Sequence, residues 1–139
     1  MKKTIILSLP ILLALIALPL SGCTKRTPTP KEEKQEYQTI TSEKAKEMID
    51  NDPNIIILDV RTEEEYNSGH IENALLIPDS DIESQAPTAL TDKEATILVY
   101  CRSGRRSALA SKKLSDLGYT NIYDFGGILD WNYDIISNK

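Results

Sequence analysis

From Tyr37 onward the sequence predicts an α/β domain, a central parallel sheet of about five strands with helices on both faces. Two apolar runs carry the prediction, Ile55-Ile56-Ile57-Leu58-Asp59-Val60 and Thr96-Ile97-Leu98-Val99-Tyr100. They are continuous and largely β-branched rather than alternating, as in strands buried on both faces. Each is followed by helix-start signals instead of a hairpin turn, which points to crossover connections. The stretch from Tyr37 is roughly 100 residues, the size of one compact domain.

The elements follow in order. Tyr37 to Ile40 is a short edge strand, and Thr41 is placed to cap a helix over Ser42 to Asp50. Asp52-Pro53-Asn54 makes a turn into the first long strand. Thr62-Glu63-Glu64-Glu65 has the spacing of a capping box, opening a short helix that stops at Gly69. Ala74 to Ile77 is a further strand, closed by Pro78. Asp79 to Glu94 is polar and irregular, with one helical turn. After the second long strand a helix begins beyond Gly104, with Ala110, Leu114 and Leu117 on one face. Gly118 ends it as a C′ residue. Asn121 to Phe125 is the last strand, and Ile128 to Ile136 the last helix.

The N-terminus carries an address. Met1-Lys2-Lys3 precedes an apolar run from Ile5 to Leu20 that Pro10 and Pro19 interrupt, the order of a secretory signal. The run also falls short of the about 20 residues of a membrane span. Leu20-Ser21-Gly22-Cys23 then resembles the lipobox of bacterial lipoproteins, which implies cleavage before Cys23 and lipidation of its thiol. Thr24 to Glu36 holds no large apolar residue and cannot offset its ordering entropy, so a flexible tether is expected. The expected organisation is therefore a signal peptide (1–22), a lipidated cysteine and tether (23–36) and a folded domain (37–139). The protein is expected in the bacterial cell envelope, held to a membrane by its lipid with the domain outside the cytoplasm.

Composition excludes some functions. The formal net charge of −5 over 139 residues argues against nucleic acid as a partner. The chain has two cysteines and one histidine, His70. With Cys23 lipidated, Cys101 is left without a disulfide partner, and no usual zinc set can be assembled. No metal or other cofactor is expected.

Cys101 itself stands at the carboxyl end of a central strand, where open α/β sheets bind ligands. It heads the loop Cys101-Arg102-Ser103-Gly104-Arg105-Arg106. A thiol reacts as thiolate, and cations and helix N-termini lower its pKa. Three arginines and the start of the next helix supply both, and Gly104 permits a turn that aims amides inward. The expected result is a cationic cradle around a thiolate, receiving a small anion. A buried, inert cysteine fits three neighbouring arginines poorly.

The same residues resemble the rhodanese family. Cys101 to Ser107 is similar to its active-site loop, and Asp59-Val60-Arg61 through Gly69-His70-Ile71 to its second signature. Ala74 to Pro78 continues the likeness, and Gly126-Gly127 and Trp131 resemble its closing pattern, so the resemblance runs from about Thr41 to Trp131. The chain ends soon after Trp131 without the Gly-Pro ending of many members. The resemblance implies a rhodanese-like fold and a sulfurtransferase of the thiosulfate type. Cys101 would take sulfane sulfur from thiosulfate or a similar anionic donor and pass it, as a persulfide, to a thiol or cyanide. Arg102, Ser103, Gly104, Arg105 and Arg106 would hold donor and persulfide, with Arg102 and Arg106 orienting the donor. Asp59 and Arg61 would support the loop, Asp59 by bonding its amides or steadying an arginine. Arg61 and Glu65 are spaced for an ion pair. His70 and Trp131 are expected to be architectural. A monomer is expected. Phosphatase and arsenate-reductase relatives have a loop one residue longer, so Arg106 at the fifth position after Cys101 favours sulfur. A non-catalytic module that binds sulfur or a partner is the alternative.

Overall fold

The computed structural model describes residues 36–138. The expected signal peptide, Cys23 and the tether up to residue 35 lie outside the described residues. The elements are β1 (Gln38–Thr39), α1 (Ser42–Asn51), β2 (Ile56–Asp59), α2 (Glu63–Ser68), β3 (Leu75–Leu76), α3 (Ile82–Ala89), β4 (Thr96–Cys101), α4 (Arg105–Asp116) and β5 (Asn121–Gly127), then a 3-10 turn over Ile128–Asp130. All strand pairs are parallel, in the order β1-β5-β4-β2-β3. This is the five-stranded α/β sheet that the sequence predicts.

Strand alternation sends side chains into two cores. Leu58, Val60, Ile97, Val99 and Cys101 share one cluster with Ile82 of α3 and Ala110 and Leu114 of α4. Ile57, Leu98 and Tyr100 share the other with Ala45 of α1, Phe125 and Trp131. Cys101 therefore takes its place at the end of β4 on the face that α3 and α4 cover.

The expected caps are present. Thr41 accepts from the Lys44 amide at 3.2 Å, and Thr62 and Glu65 form a reciprocal capping box. Gly118, at φ +91°, closes α4: its amide reaches Ser115 O at 2.9 Å, and that of Tyr119 reaches Leu114 O at 3.1 Å. These bonds satisfy carbonyls that a helix end leaves unpaired.

Two expectations are corrected. The segment from Asp79 to Glu94, expected to be irregular, holds the eight-residue helix α3, with Pro87 inside it. Ile82, Ala86 and Leu90 recur at helical spacing and are all buried. Burying Ile82 and Leu90 contributes roughly 1.5–3 kcal/mol each, enough to offset the ~3 kcal/mol that proline costs inside a helix. The second correction concerns the last helix, which stops after one 3-10 turn. Beyond it the chain bends at Tyr133 without regular structure, and Ile136 exchanges two backbone hydrogen bonds with His70, each 2.8 Å. Asn132 and Asp134 favour local non-helical bonding over helix, and no local pattern marks His70 as the distant pairing partner.

Candidate active site

The loop between β4 and α4 is shaped by glycine. Gly104 caps α4 at φ +103° and ψ −22°, a conformation that other residues enter only with strain. That turn aims the Gly104 amide at Cys101 Sγ, 3.0 Å away. The Ser103 and Ser107 amides and the Ser107 hydroxyl are further donors that favour the anionic sulfur. Cys101 is 1% exposed, and burial pushes its thiol pKa up. The bonds from Ser107, Gly104 and Ser103 outweigh burial and leave the pKa below the usual thiol value. The main lowering influence is thus a nest of donors at the start of α4, in place of the arginine charge that the sequence emphasised.

Ser107 ends the stretch that resembles the active-site loop, but the sequence assigned it no role in the site. It is fully buried, and its hydroxyl donates to Gly104 O at 2.9 Å and lies 3.2 Å from Gly126 O. With one proton to give, the hydroxyl is contested between carbonyl and sulfur, and an anionic sulfur makes the stronger bond. The available signal was a hydroxyl three positions beyond a helix-capping glycine. Replacing Ser107 by Ala is expected to raise the pH midpoint of Cys101 alkylation by iodoacetamide. An unchanged midpoint would show that the hydroxyl does not hold the thiolate.

A second pair of glycines lets the loop close down. Val99 pairs with Asp124 and Cys101 with Gly127, so β5 carries one more residue than β4 across this step, as in a bulge. Gly126 stands there at φ +87°, its amide bonded to Asp124 Oδ1 at 3.0 Å. A Cβ on Gly127 would come within 2.2 Å of the Arg102 carbonyl oxygen. That carbonyl accepts the Leu129 amide at 3.3 Å.

The arginines separate in role. Arg106 forks onto Glu65 with two bonds of 2.8 Å. Glu65 also closes the capping box on Thr62, and chiefly through Arg106 its pKa falls to about 2. The bridge therefore persists wherever a thiolate forms. Arg61 does not pair with Glu65 as its spacing suggested. It is 4% exposed and held by Asp59, with Nη2 to Oδ2 at 2.6 Å, Nε to both oxygens at 3.0 and 3.1 Å, and its amide to Oδ1 at 2.9 Å. Its remaining bond goes to Gly69 O at 2.7 Å. Glu65 is drawn instead to Arg106, a contact 41 positions away that no local pattern encodes. The Asp59 carboxylate bonds Arg61 and none of the Cys101 loop amides. Among the described residues these are the only arginine ion pairs, and Arg102 and Arg105 are exposed to solvent.

His70 is buried, stacks on Tyr66 with ring centres 3.7 Å apart and bonds Tyr66 O through Nδ1 at 2.9 Å. Trp131 packs in the second core against Phe125. Among the described residues no group of three His, Cys, Asp or Glu side chains is placed to hold a metal ion. Beside the loop lies a cleft of about 310 Å3, with Glu65 and Arg102 on its polar side and Ile128, Leu129 and Ile135 on its apolar side.

Comparison with known proteins agrees with this arrangement. Residues 41–134 match the family model of the rhodanese-like domain. The thiosulfate sulfurtransferase PspE of Escherichia coli (strain K12) is 40% identical over 73 residues, 52% of this chain and 70% of that protein. A tRNA uridine(34) hydroxylase of Yersinia pestis (strain Pestoides F) is 35% identical over 97 residues, 66% of this chain but only 27% of the relative. Among solved structures, a rhodanese with anions from E. coli aligns with a TM-score of 0.57 and 35% identity, covering 60% of this chain and 98% of its own. A rhodanese-like domain protein from Staphylococcus aureus aligns at 0.63 and 30% identity, covering 73% and 99%.

Proposed function

The chain belongs to the rhodanese-like family, and from that membership and the nest around Cys101 we propose that it is a sulfurtransferase working through a Cys101 persulfide. The Gly104 amide 3.0 Å from Sγ carries this reading, because donors fixed on a buried sulfur suit a site that must hold an anionic sulfur repeatedly. The Cys101 thiolate attacks the outer sulfur of thiosulfate or a similar donor. A new S–S bond forms, the donor's S–S bond breaks, and sulfite leaves with the electron pair. A thiol or cyanide then attacks the outer sulfur of the persulfide and restores the thiolate, a ping-pong sequence. The five-position spacing from Cys101 to Arg106 supports sulfur over phosphate or arsenate as cargo. Incubating the purified chain with thiosulfate is expected to add one sulfur by intact mass, with none added to Cys101→Ser. Absence of an adduct on the wild type would overturn the enzymatic reading and leave a binding module.

The site residues proposed for this reaction are Cys101 as nucleophile, with Ser103, Gly104 and Ser107 holding its charge and Arg102 and Arg105 drawing in an anion. Asp59 and Arg61 support the turn beyond β2. The N-terminal sequence supports a further proposal, that residues 1–22 are removed, Cys23 is lipidated and residues 37–139 work in the cell envelope on a tether. Cys23→Ala is then expected to move the protein from the membrane fraction to the soluble fraction. Retention in the membrane would overturn lipidation.

A further inference from the structure

Glu65 lies where it can decide which donor the cradle accepts. Its two carboxylate oxygens occupy the guanidinium fork of Arg106, at 2.8 Å each, and a planar fork so engaged cannot also embrace an oxyanion in the same way. Arg61 is likewise committed, to Asp59. Among the described residues, the cleft beside the loop has Arg102 as the one lining cation that makes no ion pair. Its other wall is apolar, built by Ile128, Leu129 and Ile135, and Leu129 and Ile135 are 63% and 51% exposed. The Leu129 amide bonds the carbonyl of Arg102, the residue next to Cys101, which fixes this wall at the edge of the loop. A small dianion finds Arg106, one of the two arginines expected to orient it, already neutralised by Glu65. A monoanion with an apolar body finds one cation and a surface to cover.

We propose that Glu65 is a specificity-determining residue that withholds Arg106 from the donor, so that the site favours singly charged organic sulfane donors over the inorganic dianion thiosulfate. The proposal rests on the sulfurtransferase reading above. The chemistry is the same for both donors: the Cys101 thiolate bonds the terminal sulfur, the donor's S–S or S–S(O) link breaks, and sulfite, sulfinate or thiolate departs with the pair. Only the binding of the leaving portion differs.

Thiosulfate and benzenethiosulfonate, a monoanion with an aromatic body, test the proposal with cyanide as acceptor. Wild type is expected to show a kcat/KM for benzenethiosulfonate about tenfold or more above that for thiosulfate, equivalent to ~1.4 kcal/mol. Glu65→Gln keeps a side chain that suits the capping box but removes the carboxylate charge that neutralises Arg106. It is expected to shrink the ratio about fivefold or more by lowering KM for thiosulfate, equivalent to ~1 kcal/mol. Leu129→Ser, at an exposed position, is expected to shrink the ratio from the other side by raising KM for benzenethiosulfonate. A merely structural role for Glu65 would weaken both donors together. A wild-type preference for thiosulfate, or a Glu65→Gln ratio within about twofold of wild type, on the scale of ~0.4 kcal/mol, would overturn the proposal. If neither donor leaves a sulfur on Cys101 by intact mass, the sulfurtransferase reading itself fails and this one with it.

Discussion

Replacing Asp59 by Ala is expected to destabilise the domain by about 3–5 kcal/mol, the usual effect of stripping one partner from a buried ion pair. Asp59 is wholly buried and supplies four of the five hydrogen bonds recorded for Arg61. Without it the guanidinium stays 4% exposed, with Gly69 O and the face of Tyr100, 5.5 Å away, as its remaining company. Neither neutralises a charge that water no longer reaches. For a domain of about 100 residues each kcal/mol shifts Tm by roughly 4–8 °C, so a drop on the order of 12–40 °C is expected. The loss is also expected to exceed that of the double replacement Asp59→Leu with Arg61→Met, which leaves no charge behind. Urea titrations of the two variants measure the difference. A single-variant loss below about 1 kcal/mol would mean that solvent or another group compensates Arg61, and the account of this pair would be wrong.

This pair marks the limit of what the sequence discloses. Strands β2 and β4, the caps at Thr41, Thr62 and Gly118, and the turn at Gly104 were legible because each rests on neighbouring residues: apolar runs, hydroxyls before acids, a glycine after a helix. The position of Cys101 followed from the strand end that carries it. The partners of Arg61 and Glu65 were not legible. Both acids lie within helical or strand reach of Arg61, and the choice was settled by Arg106, brought across from α4 by the parallel sheet. The same holds for the segment after Trp131, whose conformation is set by backbone pairing with His70. Helix α3 is a different failure, since Ile82, Ala86 and Leu90 did signal it and Pro87 masked the signal. At the active site the arginine-rich loop drew notice to charge, while the groups that lower the thiol pKa most are amides and one serine hydroxyl. Amides carry no letter in the sequence, and only the turn at Gly104 hints where they point.

Gly127→Ala is the substitution expected to cost most activity for the least chemistry changed. A Cβ there would stand 2.2 Å from the Arg102 carbonyl oxygen and 2.6 Å from both Arg102 C and Ser103 Cα. All three are backbone atoms, so no side-chain rotation relieves the overlap and the loop itself must move. A displacement of about 1 Å in a catalytic group commonly costs on the order of 100-fold in rate, and here the displaced segment carries the amides that face Sγ. Overpacking of this kind costs ~1–3 kcal/mol in stability, which a thermal melt separates from the loss of rate. Gly126→Ala makes the informative contrast. Nothing lies within 4 Å of its added Cβ, but its φ of +87° strains any other residue, at roughly 1–2 kcal/mol. The two variants are thus expected to melt at similar temperatures while differing sharply in single-turnover persulfide formation, with Gly127→Ala the slower. Equal rates would mean that the loop absorbs the methyl without moving its amides. The close approach of β5 would then be a packing accommodation with no part in holding the sulfur.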